Sequence, residues 1–160
     1  MSEIADFLVH ALALENQAAQ RYGELSLHLE GCDAPELAAL FGRMSDFSRQ
    51  HASQITQLAR PFQPLPVLQS WQFDWTTPLP PEVSDGALIG PDMTIAQALA
   101  LAIGNERRGW DYYNNVALTA GDFHTRMLAR DFAAEEAQHV LTLERWLLNH
   151  NNARGGNSVV

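Results

Sequence analysis

Thiols are almost absent from this 160-residue chain: Cys32 is its one cysteine. That excludes an intrachain disulfide and any thiolate cage for zinc or an iron–sulfur cluster. It fits a reducing, cytoplasmic setting, and Cys32, in the first hairpin turn, carries no assigned role. Cations are scarce too. Ten Lys and Arg face nineteen Asp and Glu, a formal net charge of -9. Nucleic acid and anionic membrane surfaces reward clustered basic residues, so neither is an expected partner. An acidic chain attracts cations instead. Long hydrophobic runs are missing as well. The opening MSEIADFLVHALALENQ carries Glu3 and Asp6, and Glu15 interrupts its apolar residues. It reads as an amphipathic helix, not as a leader peptide or a membrane span.

Hydrophobic residues make up 46% of the chain, enough for one globular domain with a real core. Residues 3–29 contain no proline, and their apolar stripe steps through Ile4, Leu8, Ala11, Glu15, Ala18, Tyr22, Leu25 and Leu29. Gly31 is placed to close that helix. Asp33-Ala-Pro-Glu36 has the pattern of a capping box with proline in the first turn. The helix it would start carries Leu37, Phe41, Met44, Ser48, His51, Ile55 and Leu58 on one face. Thr94 with Gln97 predicts a third helix, striped by Ile95, Leu99, Ala102, Glu106, Gly109, Tyr113 and Val116. After the turn at Gly121-Asp122, a fourth carries Ala129, Phe132, Glu136, His139, Leu143 and Trp146.

Seven of the eight prolines fall in residues 60–93, with Trp71 and Trp75. A connection this long needs a reason inside a compact domain. A helix of about 25 residues is roughly 38 Å long, and this strap can run back along it with slack. The third helix then starts at the end where the second did. The predicted fold is all-α: two antiparallel helical hairpins joined by a long crossover, the connectivity of ferritin-like four-helix bundles. The bundle is expected over residues 1–150, with a flexible polar tail over 151–160.

Every stripe carries an ionisable residue near its middle: Glu15, His51, Glu106, and Glu136 with His139. An unpartnered buried carboxylate is costly, and several at one depth need a shared counter-charge. Divalent metal ions supply one. Glu136 and His139 are three positions apart, hence neighbours on one helix face. Glu-x-x-His plus a Glu from a partner helix is the half-site of di-iron and di-manganese carboxylate proteins. Iron, manganese or zinc suits such ligands, at one or two ions per chain. The halves echo each other, for Tyr22 follows Glu15 by seven residues and Tyr113 follows Glu106 by seven. Read singly, each residue has a plainer explanation: His51 as a core histidine, the tyrosines as packing residues, Glu136 and His139 as a surface pair. Glu24, Glu135 and Glu144 lie off the stripes and read as solvated.

ENQAAQRY (residues 15–22) resembles the first-helix motif of rubrerythrins, and AAEEAQHVLTLERW (133–146) resembles the last helix of rubrerythrin-like proteins. DFSRQHASQI and LPVLQSWQFDW are similar to pieces of a short bacterial subgroup. The resemblance covers about residues 3–148. It implies metal ligation by Glu15, His51, Glu106, Glu136 and His139; in an oxidoreductase built on that site, Tyr22 and Tyr113 would orient the carboxylates. It also implies an oxidoreductase acting on peroxide or dioxygen. Two departures stand out. Ser48 occupies the place of a Glu that would precede His51 by three residues. Ile103 and Gly109 stand where the family carries an extra third-helix glutamate used with peroxide. No four-cysteine rubredoxin-type domain fits a chain with one cysteine, so electrons would come from a separate donor protein. The alternatives are an iron-binding or storage subunit, or a metal-depleted helical interaction protein. A homodimer is compatible with all three.

Overall fold

The computed structural model describes residues 2–73, 75 and 92–156, the side chains of 154–156 excepted. Four long helices account for most of them: α1 (Glu3–Gly31), α2 (Pro35–Leu58), α3 (Ile95–Thr119) and α4 (Phe123–Gly156). Short 3-10 turns at Arg60–Phe62 and Ser70–Gln72 follow α2. Among the described residues there is no strand. The backbones of α1 and α2 lie against each other along their lengths, and so do those of α3 and α4. The chain therefore forms a ferritin-like four-helix bundle of two hairpins.

The helix ends follow local chemistry, with one correction. Ser2 caps α1 by accepting from the Ala5 amide at 3.3 Å. Thr94 and Gln97 form the reciprocal capping box expected for α3. Asp122 accepts from both the amide and the hydroxyl of Thr125, at 2.8 and 2.7 Å, and so caps α4. The Asp122 amide in turn donates to Glu3 at 2.7 Å, which ties the start of α1 to the second hairpin. The capping box expected at Asp33 does not form. Asp33 itself takes the left-handed backbone (φ 58°) that ends α1, a conformation Asp tolerates better than most residues. The amide of Ala34 then turns back to Leu29 at 3.1 Å. This leaves Ala34 as the N-cap of α2, without a side-chain bond, and Pro35 in the first turn.

The crossover returns as the helix lengths require. His28, near the end of α1, lies 3.0 Å from the Met93 carbonyl, just before α3. Trp75 packs onto the His10 ring at 4.9 Å, whereas Trp71 is 79% exposed. The rest of the expected 60–93 strap, residues 74 and 76–91, lies outside the described residues. At the other end, α4 continues to Gly156, so residues 151–156 of the expected flexible tail are helical, and 157–160 lie outside the described residues.

The stripes face inward as their spacing predicts, except that Leu58 is 40% exposed at the end of α2. The buried apolar residues form two separate clusters. One gathers Tyr22, Leu25, Leu29, Phe41, Leu99 and Leu143 toward the α1–α2 turn. The other gathers Phe7, Leu8, Leu14, Ile55, Tyr113 and Phe132 toward the opposite end. Each fully buried Leu or Phe contributes about 1.5–3 kcal/mol. Between the two clusters lies a polar layer.

Candidate metal centre

Each helix places its ionisable residue in that layer. Glu15, His51, Glu106 and Glu136 are all buried, and the side chain of His139 is 22% exposed. Ser48 is buried among them. Within the first hairpin, His51 Nδ1 lies 2.9 Å from Glu15 Oε1. Within the second, His139 Nδ1 lies 3.3 Å from Glu106 Oε2 and 3.9 Å from Glu136 Oε2. The two halves have the same internal plan: a helix-borne Glu faced by the Nδ1 of its hairpin partner's histidine.

The tyrosines cross between the halves. Tyr22, on α1, donates its hydroxyl to Glu106 Oε1 on α3. Tyr113, on α3, donates to Glu15 Oε1 on α1, at 3.4 Å. Groups that hold a ligand's free lone pairs fix its orientation. Phe132 meets the His51 ring edge-on at 4.5 Å, and Phe47 meets His139 in the same way at 4.8 Å.

Charges in the layer settle one another. Burial alone would push Glu106 upward, but hydrogen bonds with Glu136, His139 and Tyr22 and the charge of His139 outweigh it. Its carboxyl stays below the ordinary range. Burial would lower His51, yet the hydrogen bond and charge of Glu15 and the charge of Glu135 raise it. His139 is raised likewise, against its burial, by Glu106 and by the charges of Glu15 and Glu135.

Glu135 corrects the sequence reading that left it in solvent. Its side chain is 42% exposed, but Oε2 lies 3.4 Å from His51 Nε2. Burial pushes its carboxyl up, partly offset by the charge of His51. Stripe spacing misses it because it stands one position off the buried line. The available signal was its place directly before the Glu-x-x-His unit. Glu24 and Glu144 do pair at the surface, with Arg21 and Arg107 respectively.

Among the described residues, one group offers a compact set of ligand atoms: Glu106, Glu136 and His139, all within 4.8 Å of one another. Oxygen and imidazole donors of this kind suit iron, manganese or zinc, so the residues present fit such an ion.

Comparison with known proteins bears on the family and the fold. The Rubrerythrin family profile matches residues 6–73, which hold Glu15, Tyr22, Ser48 and His51. An uncharacterized conserved protein from Magnetospirillum magnetotacticum MS-1 shares 42% identity, with 93% of this chain and 95% of that one covered and a TM-score of 0.76. The chain is a rubrerythrin-like protein. Two solved structures of PmFTN variants soaked in iron share the bundle more distantly. They match at 21% and 18% identity, each over 96% of this chain and 92% of theirs, with TM-scores of 0.65 and 0.61. No curated protein matches. Among the described residues of this rubrerythrin-like chain, no helix is long and apolar enough to cross a membrane.

Proposed function

We propose that the polar layer holds two iron ions and that the protein is an oxidoreductase consuming peroxide or dioxygen. The observation that carries this reading is the convergence of Glu106, Glu136 and His139 within 4.8 Å, in a layer that also contains Glu15 and His51. Glu106, Glu136 and His139 would hold the firmer position. Glu15 and His51 would hold the second, with Glu136 shared between them. Bound iron supplies the redox chemistry that side chains lack.

The chain's own groups do the rest. Tyr22 and Tyr113 keep Glu106 and Glu15 turned into the layer. Phe47 and Phe132 pack against the imidazoles. Reduction of peroxide to water takes two electrons and two protons, and the electrons come from a separate donor protein. Ser48 cannot bridge two ions as a carboxylate does, so the second position is the weaker one.

The test is elemental analysis of protein supplied with iron, manganese and zinc, followed by peroxide consumption by the iron form. Two ions per chain with turnover is the expected result, and Glu136→Ala removes both. Unchanged metal content and peroxide consumption in that variant would refute the assignment. A storage subunit is the second reading, favoured by the fold shared with proteins that were soaked in iron. Size-exclusion chromatography separates the two, because a cage elutes at hundreds of kilodaltons and a homodimer at about twice the chain mass.

A further inference from the structure

The second helix of each hairpin repeats a short pattern around its histidine. On α2 it reads Phe47-Ser48-x-x-His51, and on α4 it reads Glu135-Glu136-x-x-His139. Ser48 thus corresponds to Glu136, and Phe47 corresponds to Glu135. The structure gives this correspondence a spatial meaning. The residue four places before each histidine packs against the histidine of the other hairpin. Phe47 touches the His139 ring at 4.8 Å, and Glu135 reaches His51 Nε2 at 3.4 Å. The half-site that has Ser48 in place of a carboxylate therefore meets an extra carboxylate from across the bundle. The half-site that keeps its carboxylate meets a phenyl ring instead.

Geometry separates Glu135 from the ligand atoms themselves. His51 turns Nδ1 toward Glu15 Oε1 at 2.9 Å and Nε2 toward Glu135, so the two carboxylates address different nitrogens of one ring. His51 Nδ1 would give its lone pair to a cation held by Glu15, which would leave Nε2–H to donate outward. A carboxylate at that place fixes the ring's orientation and raises the basicity of the ligating nitrogen. The charges agree. Two divalent cations bring four positive charges, whereas Glu15, Glu106 and Glu136 bring three negative ones. Glu135 supplies the fourth, one imidazole away.

We infer that Glu135 is a positioning residue for the second metal position, where it takes over part of the role vacated at Ser48. Its Oε2 lies 3.4 Å from Nε2 without a formed hydrogen bond, and a small closure would let it accept Nε2–H and hold Nδ1 facing Glu15. The inference rests on the two-ion reading above.

Anaerobic titration of the full-length apoprotein with cobalt(II), followed by calorimetry and by visible absorption, tests it. The unaltered chain is expected to bind in two steps of different affinity. Glu135→Ala weakens the second step by about 10–100-fold and leaves the first within about twofold. Glu135→Gln, whose amide oxygen still accepts from Nε2–H, falls between the two. The melting temperature of the apoprotein identifies a merely structural effect. A second step that stays within twofold in Glu135→Ala overturns the proposal alone, and so does a parallel loss of both steps with a lowered apoprotein melting temperature. An unaltered chain that takes up one cobalt ion or none overturns the two-ion reading and this inference with it.

Discussion

Replacing Glu136 by Gln should stabilise the metal-free protein while abolishing its response to metal. Glu106 and Glu136 are 2% and 5% exposed, and their carboxyls are hydrogen-bonded to each other. Two carboxyls can share a hydrogen bond only through a proton. Holding that proton at pH 7 on a group that ordinarily loses it near 4.3 costs about 3.5 kcal/mol. The alternative, two bare carboxylates about 4 Å apart, costs a similar amount at an effective dielectric of about 20. An amide donates to Glu106 without taking up a proton. Allowing about half of the gain for the weaker bond and the buried amide leaves about 2 kcal/mol. For a chain of this size that is a rise of about 4–8 °C in the melting temperature. The assay is thermal unfolding in chelator at pH 7 and again near pH 4.5, where the carboxyl holds its proton more cheaply and the advantage shrinks. Metal at about a hundred times its dissociation constant adds about 2.7 kcal/mol to the unaltered protein and little to the variant. A Glu136→Gln apoprotein that melts at or below the unaltered one at pH 7 refutes the reasoning, as does an advantage that persists undiminished at low pH.

Tyr22→Phe removes the hydroxyl that donates to buried Glu106 and should cost about 1–3 kcal/mol, read by urea unfolding of the apoprotein. The raised His51 and His139 bind protons more tightly in the fold than in the unfolded chain. Their contribution to apoprotein stability is complete below about pH 6.5 and is lost as the pH climbs through the raised folded values, which a pH series of melting curves checks. Metal affinity moves the opposite way, rising over the same window as the imidazoles give up their protons. Ser48→Glu adds a carboxylate to the layer. It should tighten the second cobalt step and lower the melting temperature of the apoprotein at pH 7, both read from the titration and melting assays above.

The stripes were legible because one face of each helix is buried over most of its length. A period of three and four residues then locates Glu15, His51, Glu106 and Glu136 without further information. The return of the strap was legible from helix length alone, and the His28–Met93 contact shows the outcome. Two features were not. The end of α1 falls to Asp33, because a left-handed backbone and an N-cap geometry compete for the same residue, and local pattern does not say which prevails. Glu135 was hidden for a different reason. Its partner, His51, is 84 positions earlier on another helix, and helical periodicity reports which way a residue faces, not what waits there.

The crossed tyrosines have a consequence for the chain as a whole. Each hairpin holds half of the layer and orients the acid of the other half, so neither is chemically complete alone. The two behave as partners that happen to be joined. The connection between α2 and α3 keeps each hairpin at a high effective concentration near its mate. Of the two proposed positions, only the one that shares Glu136 with Glu15 and His51 would draw on both hairpins, and an ion there would work as a clasp between the two halves.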